Sequence, residues 1–273
     1  MFQIRCMFLI ALVWVASLVK TIPTISKQPE RQPVRISAAA IANRYPVQFA
    51  KMQIPVLCYH NIIVSGSGYR NEYTINSEVF QEQIKMLHDS GYSGIFPDQL
   101  LSFFTTGGQM PKRPILISFD DKHEEHFSIA APILERYGFS GVFFIMTVAI
   151  GKPGYMTAAE IKALSDKGHV IACHTWDHPD VRKLNENQWN IQLDKSRFTL
   201  EQITGKPVKY FAYPSGLWND VAISQLKKRG ILAAFQLTGA GSKTDILYSI
   251  RSLMVCGNWS ANTLQRKIQT SFR

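Results

Sequence analysis

The chain has 273 residues, 46% hydrophobic and 18% charged, with a formal net charge of +10. Such a composition excludes a largely disordered chain, and the length supports one large core or two smaller ones. The positive charge favours anionic surfaces such as membranes or wall polymers, but no nucleic-acid-binding module accompanies it, so nucleic acid is not an expected partner.

The first element follows Arg5: an apolar run of 14 residues from Cys6 to Val19, closed by Lys20. It suits the core of a secretory signal and is short for a membrane span. No small-x-small cleavage site follows it. Residues 1–19 therefore read as a signal peptide or an uncleaved N-terminal anchor, with the protein exported to the periplasm, cell envelope or exterior. Residues 20–52 carry four prolines and six of the basic residues, and read as a linker or irregular lead-in. One globular domain is expected over 53–273.

Within it, Ile54 to Ile62 reads as a buried strand and Ser65 to Asn71 as a polar loop. Ser77 to Ser90 has helical periodicity, with Ser77 as cap and Phe80, Ile84 and Leu87 on one face. A short strand near Tyr92 to Phe96 and a helix over Pro97 to Phe104 precede the run from Pro114. That run is continuous, apolar and too short for a helix, the form of a strand buried on both faces. It stops at Asp120 and Asp121.

The alternation continues with helix Phe127–Tyr137, strand Gly141–Met146, helix Ala158–Lys167, strand His169–His174 and helix Asn185–Thr204. Strand Val208–Pro214, helix Asp220–Arg229, strands Ile231–Leu237 and Ile250–Cys256, and a helix from Ala261 complete it. Gly91, Gly138, Gly168, Gly205 and Gly230 stand just past helices, where positive φ is wanted. Alternating strands and helices predict a parallel α/β architecture, and seven or eight strands fit a barrel better than an open sheet. Cys58, Cys173 and Cys256 lack metal-knuckle spacing and read as buried thiols, with one disulfide as the alternative.

Parallel strands gather ligands and catalytic groups at their C-terminal ends, where Asp120 and Asp121 would lie. The competing reading of this pair is a helix N-cap. At the end of a later strand stands His174-Thr-Trp-Asp-His178. Two histidines four apart can aim at one centre, and with Asp121 they offer two nitrogens and one oxygen. Three protein ligands with a position open for water is how catalytic zinc is held; cobalt, nickel or iron also suits such donors.

Ser118-Phe-Asp-Asp121, His174-Thr-x-x-His178 and Phe211-Ala-Tyr-Pro-Ser-Gly216, in that order, resemble the polysaccharide deacetylases, the NodB-homology carbohydrate esterases. Val56-Leu-Cys-Tyr-His60 and Met254-Val-Cys-Gly-Asn-Trp259 resemble the branch acting on exported poly-N-acetylglucosamine. The resemblance implies a distorted (β/α) barrel of about seven parallel strands forming a single domain. It implies Asp120 as catalytic base, Asp121, His174 and His178 as ligands of a divalent metal, zinc foremost, and the Ser215 backbone N–H as oxyanion donor. The implied reaction is hydrolysis of N-acetyl groups on an N-acetylglucosamine polysaccharide by metal-bound water.

A poor amine leaving group needs a proton. His60 is the candidate acid, no histidine occurring after His178. Trp176, Tyr213 and Trp218 are candidate sugar contacts. His123 and His126 read as a polar loop, His88 as part of a solvated helix face and His169 as the opening of a strand. Lys122, Ala212 and Ser215 depart from the family pattern. They keep two alternatives open: a glycan-binding protein without turnover, and a deacetylase of another acetylated glycan.

Overall fold

A computed structural model describes residues 54–64 and 71–272, apart from Lys122 and Thr238. The expected export segment, the lead-in and Lys122 lie outside the described residues.

The strands are β1 (Val56–Tyr59), β2 (Asn61–Ile63), β3 (Thr74–Asn76), β4 (Ser93–Gly94), β5 (Pro114–Phe119) and β6 (Gly141–Ile145). They continue with β7 (Val170–Cys173), β8 (Tyr210–Ala212), β9 (Ala233–Gln236), β10 (Ile250–Arg251) and β11 (Leu253–Met254). Eight run in the order β10-β9-β8-β7-β6-β5-β1-β11, all pairs parallel, while β4 edges β5 and β2 pairs with β3 separately. The two ends of this path adjoin in sequence. Only Ser252 separates β10 from β11; its N–H donates to Gln236 O at 2.8 Å, and the N–H of Val255 donates to Cys58 O at 2.9 Å. One run, expected as a single strand, thus reaches both edges and nearly closes a barrel.

Registers such as Tyr59↔Phe119, Phe119↔Phe143, Ile145↔Cys173, Cys173↔Phe211 and Ala212↔Phe235 bring the C-terminal strand ends onto one rim. Alternation along each strand sorts the side chains into two cores. Val56, Leu116, Val142, Phe144, Ala172, Ala212 and Phe235 fill the interior with Leu100 and Phe103 of the helix Pro97–Thr106. Leu57, Tyr59, Ile117, Phe119, Phe143, Ile145 and Phe211 face outward onto the surrounding helices. Phe119 stacks on Phe143 at 4.9 Å and on Tyr59 at 5.7 Å. Truncating it to Ala would cost about 3–5 kcal/mol, and it immediately precedes Asp120.

The expected helices form with small shifts. Asn76, not Ser77, caps the helix Ser77–Asp89, its side chain accepting from the N–H of Glu78. The five glycines expected beyond helices all take positive φ. Two helices carry π segments, His126–Ala130 and Asn190–Lys195, in which the wider turn rotates the following side chains relative to a regular helix. Cys58, Cys173 and Cys256 are free thiols, so the disulfide alternative is not realised. Among the described residues, no helix is long and apolar enough to cross a membrane.

Candidate active site

Backbone strain marks the rim. Asp121 (φ 77°), Thr175 (67°), His178 (67°) and Ser215 (55°) are the non-glycine residues of positive φ among the described residues. Each such conformation costs on the order of 1–3 kcal/mol and persists where surrounding structure imposes it, characteristically at functional sites. All four lie in the three segments singled out in the sequence.

Asp120 continues the ladder beyond β5, its N–H donating to Tyr59 O at 3.0 Å. At Asp121 the backbone turns out of the extended region, and the adjacent carboxylates part company. Asp120, 4% exposed, joins Cys58 and His60; Asp121 joins His174 and His178. The helix-cap reading of the pair is not met, since the helix beyond starts from Glu125.

In the second group the three ligand atoms lie within 4.8 Å of one another, with His174 Nε2 3.9 Å from Asp121 Oδ1. His174 Nδ1 lies 2.9 Å from Ala212 O. A carbonyl can only accept, so Nδ1 carries the proton and Nε2 is bare. Burial lowers the His174 pKa to about 4, against the raising effect of Asp121, keeping the ring neutral. Burial pushes Asp121 up, but the imidazoles of His174, His60 and His178 outweigh it and hold the carboxyl below its ordinary value. Imidazole nitrogens beside a carboxylate are the donor set a divalent cation requires, and the residues present fit one.

The loop carrying the histidines is pinned from behind. Thr175 Oγ1 donates to His174 O and accepts from the His178 N–H at 3.0 Å. Gln192 Oε1 accepts from the N–H groups of Trp176 and Asp177 at 3.1 and 3.3 Å, while its Nε2 donates to Asp177 Oδ1 at 2.8 Å. Sequence reading missed Gln192. Its signal was a polar residue on the buried stripe Trp189, Leu193, Ser196, Leu200.

Burial, then the neighbouring Asp121 charge, raise Asp120 to about 7, opposed by a hydrogen bond from Cys58. Burial lowers His60, against the Asp121 charge. The expectation that His126 belongs to a polar loop is overturned: it is fully buried, its Nε2 donates to His60 O, and its ring lies 5.2 Å from that of Phe119. His123 is half-buried and bridges to Tyr155. His169 also is buried, accepting from the Gly141 N–H at 3.0 Å, whereas His88 is solvated as expected.

Pro214–Gly216 forms a tight turn closed by Gly216 N–H to Tyr213 O at 2.8 Å and Leu217 N–H to Pro214 O at 3.1 Å. Neither bond uses the N–H of Ser215, an exposed residue. Tyr213 is not placed as a sugar contact: it is 1% exposed, and its hydroxyl donates to Tyr248 O at 2.9 Å. Trp176 is half-buried with Lys195 Nζ 5.8 Å from its ring, and Trp218 is half-buried against the outer core. Tyr73, overlooked in the sequence, is 42% exposed and its ring centre lies 5.4 Å from that of His60.

Known proteins resemble this chain in sequence and in fold. Residues 107–234 match the family model described as polysaccharide deacetylase. The Bacillus subtilis protein YxkH, whose name assigns it provisionally to the polysaccharide deacetylases, is 24% identical over 251 residues, 89% of this chain and 86% of its own. The poly-beta-1,6-N-acetyl-D-glucosamine N-deacetylase of Staphylococcus aureus is 29% identical over 189 residues. That match spans 63% of this chain and just under two thirds, 64%, of the relative. Among solved structures, the Streptococcus pyogenes deacetylase PplD in complex with acetate superposes with a TM-score of 0.73 at 22% identity, covering 80% of this chain and 99% of that one. IcaB from Ammonifex degensii gives 0.66 at 21%, covering 80% and 97%. These structures share the fold.

Proposed function

We propose that this chain, which matches the polysaccharide deacetylase family model over residues 107–234, is a metal-dependent hydrolase removing acetyl groups from an exported polymer of β-linked N-acetylglucosamine. The observation that carries the proposal is the divergence of Asp120 and Asp121 into two separate side-chain groups. The staphylococcal relative's substrate supports the choice of polymer, and the apolar run 6–19 supports a setting at the cell envelope.

Asp121, His174 and His178 would hold the cation. Once bound, it would supply Lewis acidity, making water more acidic and polarising the acetamide carbonyl; zinc is the ion we favour, on donor type. Asp120 accepts the proton of the attacking water; burial, which raises its carboxyl above the ordinary carboxylate range, suits it to act as a base. The Ser215 N–H, uncommitted to its own turn, faces the developing oxyanion. His60 rests uncharged, since burial lowers it. Its ring nitrogen lies within 4.8 Å of an Asp120 oxygen, a short route for the proton that must reach the leaving amine. The C–N bond breaks, the new C–O bond forms, and acetate and a glucosamine unit result. Trp176 and Trp218 are proposed to contact neighbouring sugars through their exposed ring surface.

The test is acetate release across poly-N-acetylglucosamine, peptidoglycan, chitin oligomers and acetylated xylan, after chelation and after zinc or cobalt is restored. Metal-dependent release from the β-linked N-acetylglucosamine substrates supports the proposal. Tight glycan binding with one bound metal and no release from any substrate refutes it.

A further inference from the structure

Behind the site, the mechanism leaves one buried nucleophile unused. Cys58 is 1% exposed, lies one residue before the end of β1, and groups with Asp120 and His60. Its Sγ is 4.0 Å from His60 Nδ1, and one ligand atom from each of the three residues falls within 4.8 Å of the others. A tetrahedral zinc ion with Zn–S near 2.3 Å and Zn–N near 2.0 Å separates sulfur from nitrogen by about 3.5 Å. The observed spacing is thus about half an ångström from that required. The surroundings hold the donors in place. His126 Nε2 donates to the His60 carbonyl, the Tyr73 ring packs against the His60 imidazole, and the Val255 N–H donates to the Cys58 carbonyl at 2.9 Å. This donor set differs in kind from that of Asp121, His174 and His178, because it contains sulfur and so favours borderline and soft ions.

We propose that Cys58, His60 and Asp120 form a second site, for zinc or cadmium, whose occupation blocks the reaction by taking up the base and the acid together. Binding displaces the thiol proton to solvent and involves no redox change. The inhibitory consequence rests on the proposed roles of Asp120 and His60; the binding itself rests only on the geometry. Activity would then be highest with one equivalent of metal and fall as a second binds.

Cobalt(II) titration of the metal-free protein tests this, because only a cobalt–thiolate bond gives an intense near-ultraviolet charge-transfer band. The first equivalent should give visible ligand-field bands without it. The second should bring the thiolate band. In Cys58→Ser, and in Cys58→Ala as a second variant, the protein should bind one equivalent and show no thiolate band. The ratio of acetate release at one equivalent of zinc to that in excess zinc should be several-fold in the parent and near one in both variants. A second equivalent without the band, no second equivalent, or a band surviving in Cys58→Ser would each overturn the second site. A thiolate band without the earlier thiolate-free equivalent would instead leave this site standing and refute the proposed primary one.

Discussion

The carbonyl oxygen of Ala212, 2.9 Å from Nδ1 of His174, fixes the tautomer of that histidine and turns its bare Nε2 toward Asp121. Metal affinity should therefore depend steeply on His174 and in a graded way on what supports its loop. His174→Ala is expected to weaken zinc binding by more than about 100-fold, and Gln192→Ala by roughly 10-fold, the range found for outer partners of metal ligands. Competition with a coloured chelator measures both. Equal losses in the two variants would contradict this ordering.

Because Ser215 is proposed to act through its backbone, its side chain should be dispensable. Ser215→Gly keeps the N–H and suits the φ of 55°. Acetate release should stay within about 3-fold of the parent, whereas losing an oxyanion donor costs on the order of 10²–10³. A loss of the larger size in Ser215→Gly would assign the role to the hydroxyl instead.

The neighbouring glycine is far less tolerant. A Cβ at Gly216, where φ is 70°, would sit 2.5 Å from the Leu237 backbone nitrogen and 2.7 Å from Leu237 Cβ. Gly216→Ala should cost at least about 2 kcal/mol and lower Tm by roughly 4 °C or more. Unchanged thermal unfolding would show that the turn relaxes.

Acid should loosen the fold through His126. Burial holds its folded pKa at about 3, against an ordinary value of 6.5. Below 6.5 the unfolded chain binds a proton that the folded one refuses, so its contribution is complete above that pH and declines as pH falls toward 3. Between pH 6.5 and 5 the decline from this one group is about 2 kcal/mol. Urea unfolding at the two pH values, compared with His126→Asn, isolates it. An identical pH slope in parent and variant would contradict the assignment.

Much of this site was legible because its chemistry sits where periodicity breaks. The apolar run ending at Asp120 and Asp121 and the His174 to His178 spacing are local signals, and both lie on the rim where parallel strands end. The closing run is less legible: one segment pairing with both barrel edges around Ser252 is a long-range property no local pattern encodes. The same holds for His126, whose polar character suggested a loop, and for Gln192, which passed unnoticed inside an expected helix; tertiary packing buries both in π segments. Tyr213 failed in the opposite direction: its motif position suggested the cleft, but strand alternation sends its ring outward into the helical layer.

The central claim is that the adjacent carboxylates divide the work. Acetate release from an N-acetylglucosamine oligomer, measured with bound zinc on the parent, Asp120→Asn and Asp121→Asn, tests it most directly. The account predicts that Asp120→Asn keeps one equivalent of zinc yet releases acetate about 10²–10⁴-fold more slowly, while Asp121→Asn loses the zinc and the activity together. Release by Asp120→Asn at the parental rate, or full zinc occupancy in Asp121→Asn, would contradict it.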